Sequence, residues 1–516
     1  TIEHDAKNDE WTLGVHIADV ATFVKMGSEL DVEGRERGNS VYLPRLVIPM
    51  LPEVLSNGVC SLQEGVPRFT KSVFITFTSD GTVISQRLCN AVIKSDKRLT
   101  YLEAQALIDG DQKVAHKHAR TETPYTDQLV DTLRRCNQLA KILQRRRFRD
   151  GMVTLNLPQV EIVYDEEGHV VDAVPEDDAY THKIIEMFMV EANEAVARVF
   201  DDLGVPILRR VHPDPAMGDL EELRMYARAV GMSVPDEPTR KEMQDLLEAT
   251  RNTPAARAIH FAVLKTFAKA TYSPALIGHY ALASLHYAHF TSPIRRYPDL
   301  SVHRATQAYL ERTDNGRNVP GGKKRRQLGE VIMADDRVLD EGELITLGQH
   351  CSDTEQEATA AERELREFLV MKMLEEKHMG DVFTGLVTGV MSAGVFVSIN
   401  KYLVEGLVRM QDLPGAAKKQ DRWQVNDRTG RLVAGRSGAS IGIGDLVEVQ
   451  IARIDLGSRH MDLLIEKLPD ATMSPFIEHK KTAREAGVER GGRQRDAKGK
   501  KHRKGFGKGR RGRKGR

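Results

Sequence analysis

The chain has 516 residues, of which 29% are charged, and a net charge of only +1. That length accommodates two or three domains with a sizeable core, while no apolar run approaches the ~20 residues needed to span a bilayer. Neither membrane insertion nor a secretory signal is therefore expected.

Four cysteines, Cys60, Cys89, Cys136 and Cys351, stand far apart with no CxxC or Cys/His ligand spacing. Such usage argues for reduced thiols in a cytoplasmic protein and against a zinc site. The net charge conceals an asymmetry. From Lys480 to Arg516 there are 17 Lys or Arg against three acids, so +14 lies in the tail and −13 on residues 1–479. A Gly-rich basic segment without apolar periodicity is expected to stay disordered and to attract phosphate backbones.

Residues 11–26 alternate and then run apolar at Trp11, Leu13, Val15, Ile17 and Val20, which predicts a half-buried strand or strand pair. His16 and Asp19 lie within it and read, on residue type alone, as satisfied polar groups of a core. Residues 35–62 are punctuated by Pro and Gly. Tyr42 there has a hydroxyl able to bond a phosphate and a ring able to wedge against a base, or to fill a core. Glu53 and then Ser56-Asn57-Gly58 predict a helical turn stopped by glycine. Residues 72–94 predict a hairpin turning at Ser79-Asp80-Gly81, and Tyr101 follows.

Residues 126–150 predict a helix dense in cations, Arg134, Arg135, Lys141, Arg145, Arg146, Arg147 and Arg149, which form either a channel wall or, for most of them, a solvated face. Ile184, Ile185, Phe188, Met189, Val196 and Phe200 recur at helical period over 181–203, which puts Glu186 and Asn193, seven apart, on one face. Residues 204–280 alternate Pro-rich loops with short helices and say little about chemistry.

The densest stretch is His289-Phe-Thr-Ser-Pro-Ile-Arg-Arg-Tyr-Pro-Asp299. Pro293 is expected at the first position of a helix capped by Thr291 or Ser292, with Arg295 and Arg296 in its first turn, where the macrodipole disfavours cations. Two readings stand side by side: a phosphate held between two guanidinium forks, or a solvated helix start paired to acids such as Asp299. Residues 315–327 are expected to be a flexible insertion, followed by a long charged helix from Asp353 to Lys377 that carries Glu362. Glycine-spaced β alternation over 380–467 predicts a small five-stranded barrel of the OB type, with Phe383 and Phe396 exposed for single-stranded nucleic acid; residues 411–440 are long and polar.

His289–Asp299, Gly14-Val-His-Ile-Ala-Asp-Val20, Arg37-Gly-Asn-Ser-Val-Tyr-Leu-Pro44, Ile48–Gly58, Arg98-Leu-Thr-Tyr101 and Gly278-His-Tyr-Ala-Leu282 together resemble the ribonuclease II/ribonuclease R (RNB) family of processive 3'-to-5' exoribonucleases. The resemblance covers approximately residues 1–470. It implies an α+β fold: an RNB catalytic domain with a mixed sheet and surrounding helices over 1–378, an S1-type OB-fold over 379–468, and a disordered tail over 469–516.

It also implies roles. Arg295 would steady the scissile phosphate and Tyr42 hold the 3'-terminal nucleotide, with Tyr101, Glu186, Asn193, Arg296, Phe383 and Phe396 contacting RNA. The family's second aromatic, at the other end of the bound strand from Tyr101, falls at the non-aromatic Leu155, and Asp19 would border the metal site. Magnesium is the implied cofactor, held in the family by an Asp-x5-Asp-x-Asp-Asp cluster upstream of the first strand motif. Residues 1–10 offer Glu3, Asp5, Asp9 and Glu10 without that spacing, so no metal ligand is assigned. The chain is expected to be an N-terminally truncated portion of a longer enzyme, inactive by itself, or a pseudo-nuclease that binds RNA without cutting it. Implied partners are single-stranded RNA and ribosomal or RNA-decay factors, with no membrane.

Overall fold

The alternation at Trp11, Leu13, Val15 and Ile17 puts four apolar side chains on one face of a strand, and in the computed structural model all four are buried. The structure describes residues 1–469 except 156, 158, 216–219, 230–231, 252, 254–255, 416–420 and 427–429. The basic tail expected over 469–516 thus lies, but for its first residue, outside the described residues.

Strands β1 (Ile2–Asp5) and β2 (Glu10–Ala18) form a hairpin, followed by helix α1 (Glu29–Arg37), a second small hairpin of β3 (Val41–Leu43) and β4 (Leu46–Ile48), and the long strands β5 (Pro67–Phe77) and β6 (Val83–Lys94). The main sheet has the order β1-β2-β5-β6. Every pairing in it is antiparallel, where a mixed sheet was expected; tight turns join β1 to β2 and β5 to β6, and only a crossover connection can make a parallel pair. The predicted turn is present. Gly81 sits there at φ +85, and a Cβ would come within 3.1 Å of Ile142, so the turn requires glycine both for its backbone and for its closeness to the next helix layer.

Helices α2 (Tyr101–Asp109), α3 (Gln112–His118), α4 (Asp127–Arg149) and α5 (Tyr180–Leu203) cover the sheet, with a hairpin of β7 (Val160–Tyr164) and β8 (Val170–Pro175) between the last two. The apolar face of β2 and β5 meets Leu139, Ala140 and Leu143 of α4 and Val196 and Phe200 of α5 in one core. Most cations of α4 are solvated, as predicted. Arg146 and Arg147 are the exceptions: both are buried, and Glu191 and Glu194, one turn apart on α5, take their charge, with Arg147 Nη1 2.9 Å from Glu194 Oε1. A buried guanidinium is tolerated only with such a partner.

Strand β9 (Arg209–Val211), helices α6 (Leu220–Ala229), α7 (Arg240–Thr250) and α8 (Ala256–Thr266), and strand β10 (Thr271–Ser273), which pairs with β9, lead to α9 (Tyr297–Arg312). Helix α10 (Lys323–Met333) occupies part of the stretch expected to be a flexible insertion, because Ile332 anchors it in the main core. Helix α11 (Glu341–Lys377) starts well before the expected Asp353, where Asp340 and Glu343 form a capping box that satisfies two free N–H groups.

Beyond α11 five strands close a barrel in the order β11-β12-β13-β18-β17: β11 (Val382–Met391), β12 (Gly394–Ile399), β13 (Glu405–Arg409), β17 (Leu446–Asp455) and β18 (His460–Lys467). The polar stretch between β13 and β17 is not featureless, since β14 (Trp423–Asn426), β15 (Arg431–Ala434) and β16 (Ser440–Ile441) make a three-stranded sheet whose Trp423 and Leu432 reach the barrel core. Val370, Met371, Met373 and Leu374 of α11 and Val160, Val170 and Ala173 of the β7–β8 hairpin join that core. Among the described residues, no helix is long and apolar enough to cross a membrane.

Candidate nucleic-acid interface

The signature stretch forms a tight turn before α9 rather than the start of a helix. Helix α9 begins at Tyr297, with Arg296 as its N-cap and Pro298 inside its first turn, so Pro298, not Pro293, takes the position that needs no N–H. Neither Thr291 nor Ser292 caps it. Instead the Ser292 amide donates to Asp299 Oδ1 at 2.7 Å, and the Arg295 and Arg296 amides close on the Ser292 carbonyl.

Two buried anchors fix this turn from below. The Phe290 amide donates to Asn193 Oδ1 (2.9 Å), and its carbonyl accepts from His303 Nε2 (2.8 Å). Asn193 Nδ2 donates in turn to the Tyr287 hydroxyl at 3.2 Å. Asn193 therefore spends both ends of its amide on the loop, which makes it a scaffold for the signature turn.

The two arginines part company. Arg296 lies in a fork on Asp299, Nε to Oδ2 at 2.8 Å and Nη2 to Oδ1 at 2.7 Å, and the carboxylate is fully buried. The Asp299 charge holds the guanidinium well above its ordinary pKa. Paired to Asp299, Arg296 follows the second sequence reading. Arg295 is not held in this way: its side chain is exposed and makes no ion pair among the described residues.

Main-chain bonds then bring Tyr42 to the same place. The Ser40 amide donates to the Arg295 carbonyl (3.0 Å) and the Tyr297 amide to the Gly38 carbonyl (2.9 Å), so residues 38–40 run alongside the turn and the β3–β4 hairpin hangs from it. Tyr42 is 44% exposed, which leaves its ring and hydroxyl available. Asp31 secures the arrangement, accepting from the Tyr297 hydroxyl (2.8 Å) and pairing with Arg304 (2.5 Å).

Behind the turn is a group that sequence reasoning passed over as uninformative. His212, His279, Tyr287, His289 and Tyr272 meet edge to face at 4.9–5.7 Å, and the Arg210 guanidinium lies 4.6 Å over Tyr272. Its signals in the sequence were His289 of the signature stretch, the Gly278-His-Tyr-Ala-Leu motif and the isolated His212. Burial pushes His279 down to about 3, and holds His16 and His303 at about 4.

These rings are neutral in the fold and titrate near 6.5 when unfolded, so the unfolded chain binds more protons between pH 6.5 and 4. Their contribution to stability is full above pH 6.5 and falls as pH drops toward 4. A urea midpoint is therefore expected to be lower at pH 5 than at pH 7; equal midpoints would mean that the rings protonate without unfolding.

Tyr101 opens α2, 41% exposed, and stacks on His182 of α5 with centroids 3.7 Å apart. His182 is held by Asp177 at 2.8 Å. His182 thus covers one face of Tyr101, and Leu155, at the position of the family's second aromatic, packs on the α6–α8 cluster. Glu186 is paired to Lys183 at 2.6 Å, and Glu362 to Arg366 at 3.0 Å. In the barrel, Phe383 and Phe396 are half-buried rather than exposed; Phe383 packs between His378 and Tyr402.

The described residues do not make a magnesium site. Among them no three of His, Cys, Asp and Glu gather closely enough to hold a metal. Asp19 gives Oδ2 to buried Lys71 (3.1 Å) and to Thr22 (2.8 Å). Asp5 and Asp9 lie at the opposite end of β2, roughly 30 Å away along a nine-residue strand.

A family model, the RNB domain, matches residues 1–312, more than half of the chain and every motif of this site. The chain belongs to the RNB family. It is 36% identical over 463 residues to ribonuclease R of Thermotoga maritima, covering 89% of this chain and 60% of that protein, so it spans about 60% of the length of that curated relative. The fold is similar to that of Mycoplasma genitalium RNase R, solved both without ligand and in complex with ribose-methylated single-stranded RNA, with a TM-score of 0.76 and 27% identity over 90% of this chain and 68% of that one. It shares its fold with yeast Ssd1, described as a pseudonuclease, at a TM-score of 0.64 and 21% identity over 84% of this chain and 49% of that one.

Proposed function

We propose that this chain holds the 3' end of single-stranded RNA for a ribonuclease R-like 3'-to-5' exoribonuclease that releases nucleoside 5'-monophosphates. The observation that carries the reading is the exposed Arg295, without an ion pair among the described residues, held at a turn whose own main chain supports the Tyr42 hairpin. Arg296 and Asp299 supply a rigid base, so the Arg295 fork is presented without a competing carboxylate and can meet two phosphate oxygens at once. Tyr42 would steady the terminal nucleotide beside it. Tyr101, backed by His182, offers one free face to a base, and stacking is indifferent to sequence.

The division into a catalytic domain over 1–378, an S1-type OB-fold over 379–468 and a basic tail over 469–516 is part of the proposal. A closed five-stranded barrel is the architecture such a domain requires, and its half-buried Phe396 is a better stacking candidate than Phe383, which is enclosed by neighbouring rings. A cytoplasmic setting fits the four free thiols.

Magnesium is the cofactor that the family resemblance implies, and the described residues show no carboxylate cluster to hold it. A second reading, a pseudo-nuclease that binds RNA without cutting it, is favoured by that same lack of a carboxylate cluster among the described residues. The deciding experiment incubates residues 1–516 with a 3'-labelled RNA and magnesium, alone and joined to an upstream Asp-x5-Asp-x-Asp-Asp segment. Binding without cleavage is expected from the first, and processive release of mononucleotides from the second. Silence from both would establish the pseudo-nuclease, and cleavage by the first would show that other acids hold the metal.

A further inference from the structure

The β3–β4 hairpin that carries Tyr42 turns through two residues, Pro44 and Arg45, between the paired Leu43 and Leu46. Arg45 stands at φ +62. Proline followed by a left-handed residue is the pattern of a type II turn, whose second central position ordinarily belongs to glycine or asparagine because a Cβ is strained there. An arginine at this point weakens the turn on backbone grounds, so its side chain is the place to look for a compensating contact.

That contact exists. The Arg45 guanidinium lies over the ring of Tyr164, 5.3 Å from its centroid, at the end of β7. It also fills the space that a Cβ on Gly168 would occupy, in the turn between β7 and β8, where Gly168 itself has φ +93. The Tyr164 hydroxyl is buried with no hydrogen-bond partner, and burial raises its pKa, so the ring stays neutral and keeps its electron-rich face toward the cation. Arg366 of α11 is the other cation that faces it.

The two hairpins differ in how firmly they are held. Strands β7 and β8 bury Val160, Val170 and Ala173 in the barrel core, and Lys401 pairs with Asp172 at 2.7 Å. The Tyr42 hairpin has no such anchor on its second strand: Leu46, Val47 and Ile48 are all exposed, by 41–55%. Its root is fixed by the main-chain bond from Ser40 to Arg295, its first strand lies along α11, and its tip is held by Arg45.

Resting on the reading of Tyr42 given above, we propose that Arg45 is a positioning residue: seated between Tyr164 and Gly168, it latches the Tyr42 hairpin to the β7–β8 hairpin and so sets where Tyr42 stands beside Arg295. The latch ties the RNA-end site to the part of the protein that carries the barrel. Because the cation–ring contact is offset by strain in the turn, the latch adds little to overall stability and acts on the hairpin's freedom.

The test uses the full chain, Arg45→Gly, which relieves the strained turn while removing the guanidinium, and Tyr164→Leu, which removes its seat. Amide hydrogen exchange over Leu43–Ile48 is expected to quicken severalfold in both variants, with the thermal midpoint of Arg45→Gly unchanged or raised. An RNA ending in 3'-terminal 2-aminopurine is expected to be quenched on binding the parent, less so on binding either variant, and no less by the double variant than by a single one. Arg45→Lys is expected to restore part of the quench. Unchanged exchange, additive losses in the double variant, or a lower midpoint for Arg45→Gly would overturn the latch. A parent that gives no quench, or one that keeps it after Tyr42→Ala, would instead overturn the reading of Tyr42, and the positioning role with it, whatever the exchange shows.

Discussion

Asp299→Asn is expected to destabilise the protein by about 3 kcal/mol or more, because it removes one partner of a buried ion pair and leaves the other without compensation. The carboxylate is fully buried and receives three N–H groups, two from Arg296 and one from the Ser292 main chain. Asparagine returns one acceptor and turns two N–H donors toward a guanidinium that cannot give up its proton. The signature turn is expected to loosen with it, since Ser292 is where the Arg295 and Arg296 amides close. Urea denaturation followed by near-ultraviolet circular dichroism measures the loss. A midpoint equal to the parent's would show that Arg296 finds water or another acceptor at no cost, and the turn would then need a different account.

Arg295→Lys is expected to slow single-turnover RNA cleavage roughly 100-fold or more, the cost of losing a donor aimed at charge that develops in the transition state, while changing RNA affinity far less. The assay uses the chain joined to the upstream aspartate segment. A lysine keeps the positive charge and so keeps most of the attraction to a phosphate. It loses the planar fork that can hold two equatorial oxygens as negative charge moves onto them. Single-turnover rates at saturating enzyme separate the two effects. If affinity falls and the cleavage rate stays at the parent's value, Arg295 docks the strand and does not assist the reaction.

The family and most of the elements were legible before folding was considered. Six ordered motifs and the period-2 and period-3.6 patterns at β2, β5, β6, α4 and α5 are local signals, written in residues close together in the chain, and each reappears in the structure close to where it was read. Arg295 was legible for the same reason, since two adjacent arginines in the expected first turn of a helix are unusual on local grounds alone. Which arginine is free was not legible, because it depends on Asp299 reaching back over one helical turn while the Arg295 side chain finds no acid.

Tertiary structure alone decided the rest. Asn193 became a scaffold because Phe290, 97 residues away, donates to it; Arg146 and Arg147 became core residues because α5 brings two glutamates against them; and His182 of α5 came to stack on Tyr101. Residues 204–280, featureless in sequence, supply His212 and His279 to the ring cluster, since edge-to-face contacts between distant residues leave no periodic trace. Long-range polar pairing is set by how layers pack, and packing is a property of the whole chain that no window of sequence contains.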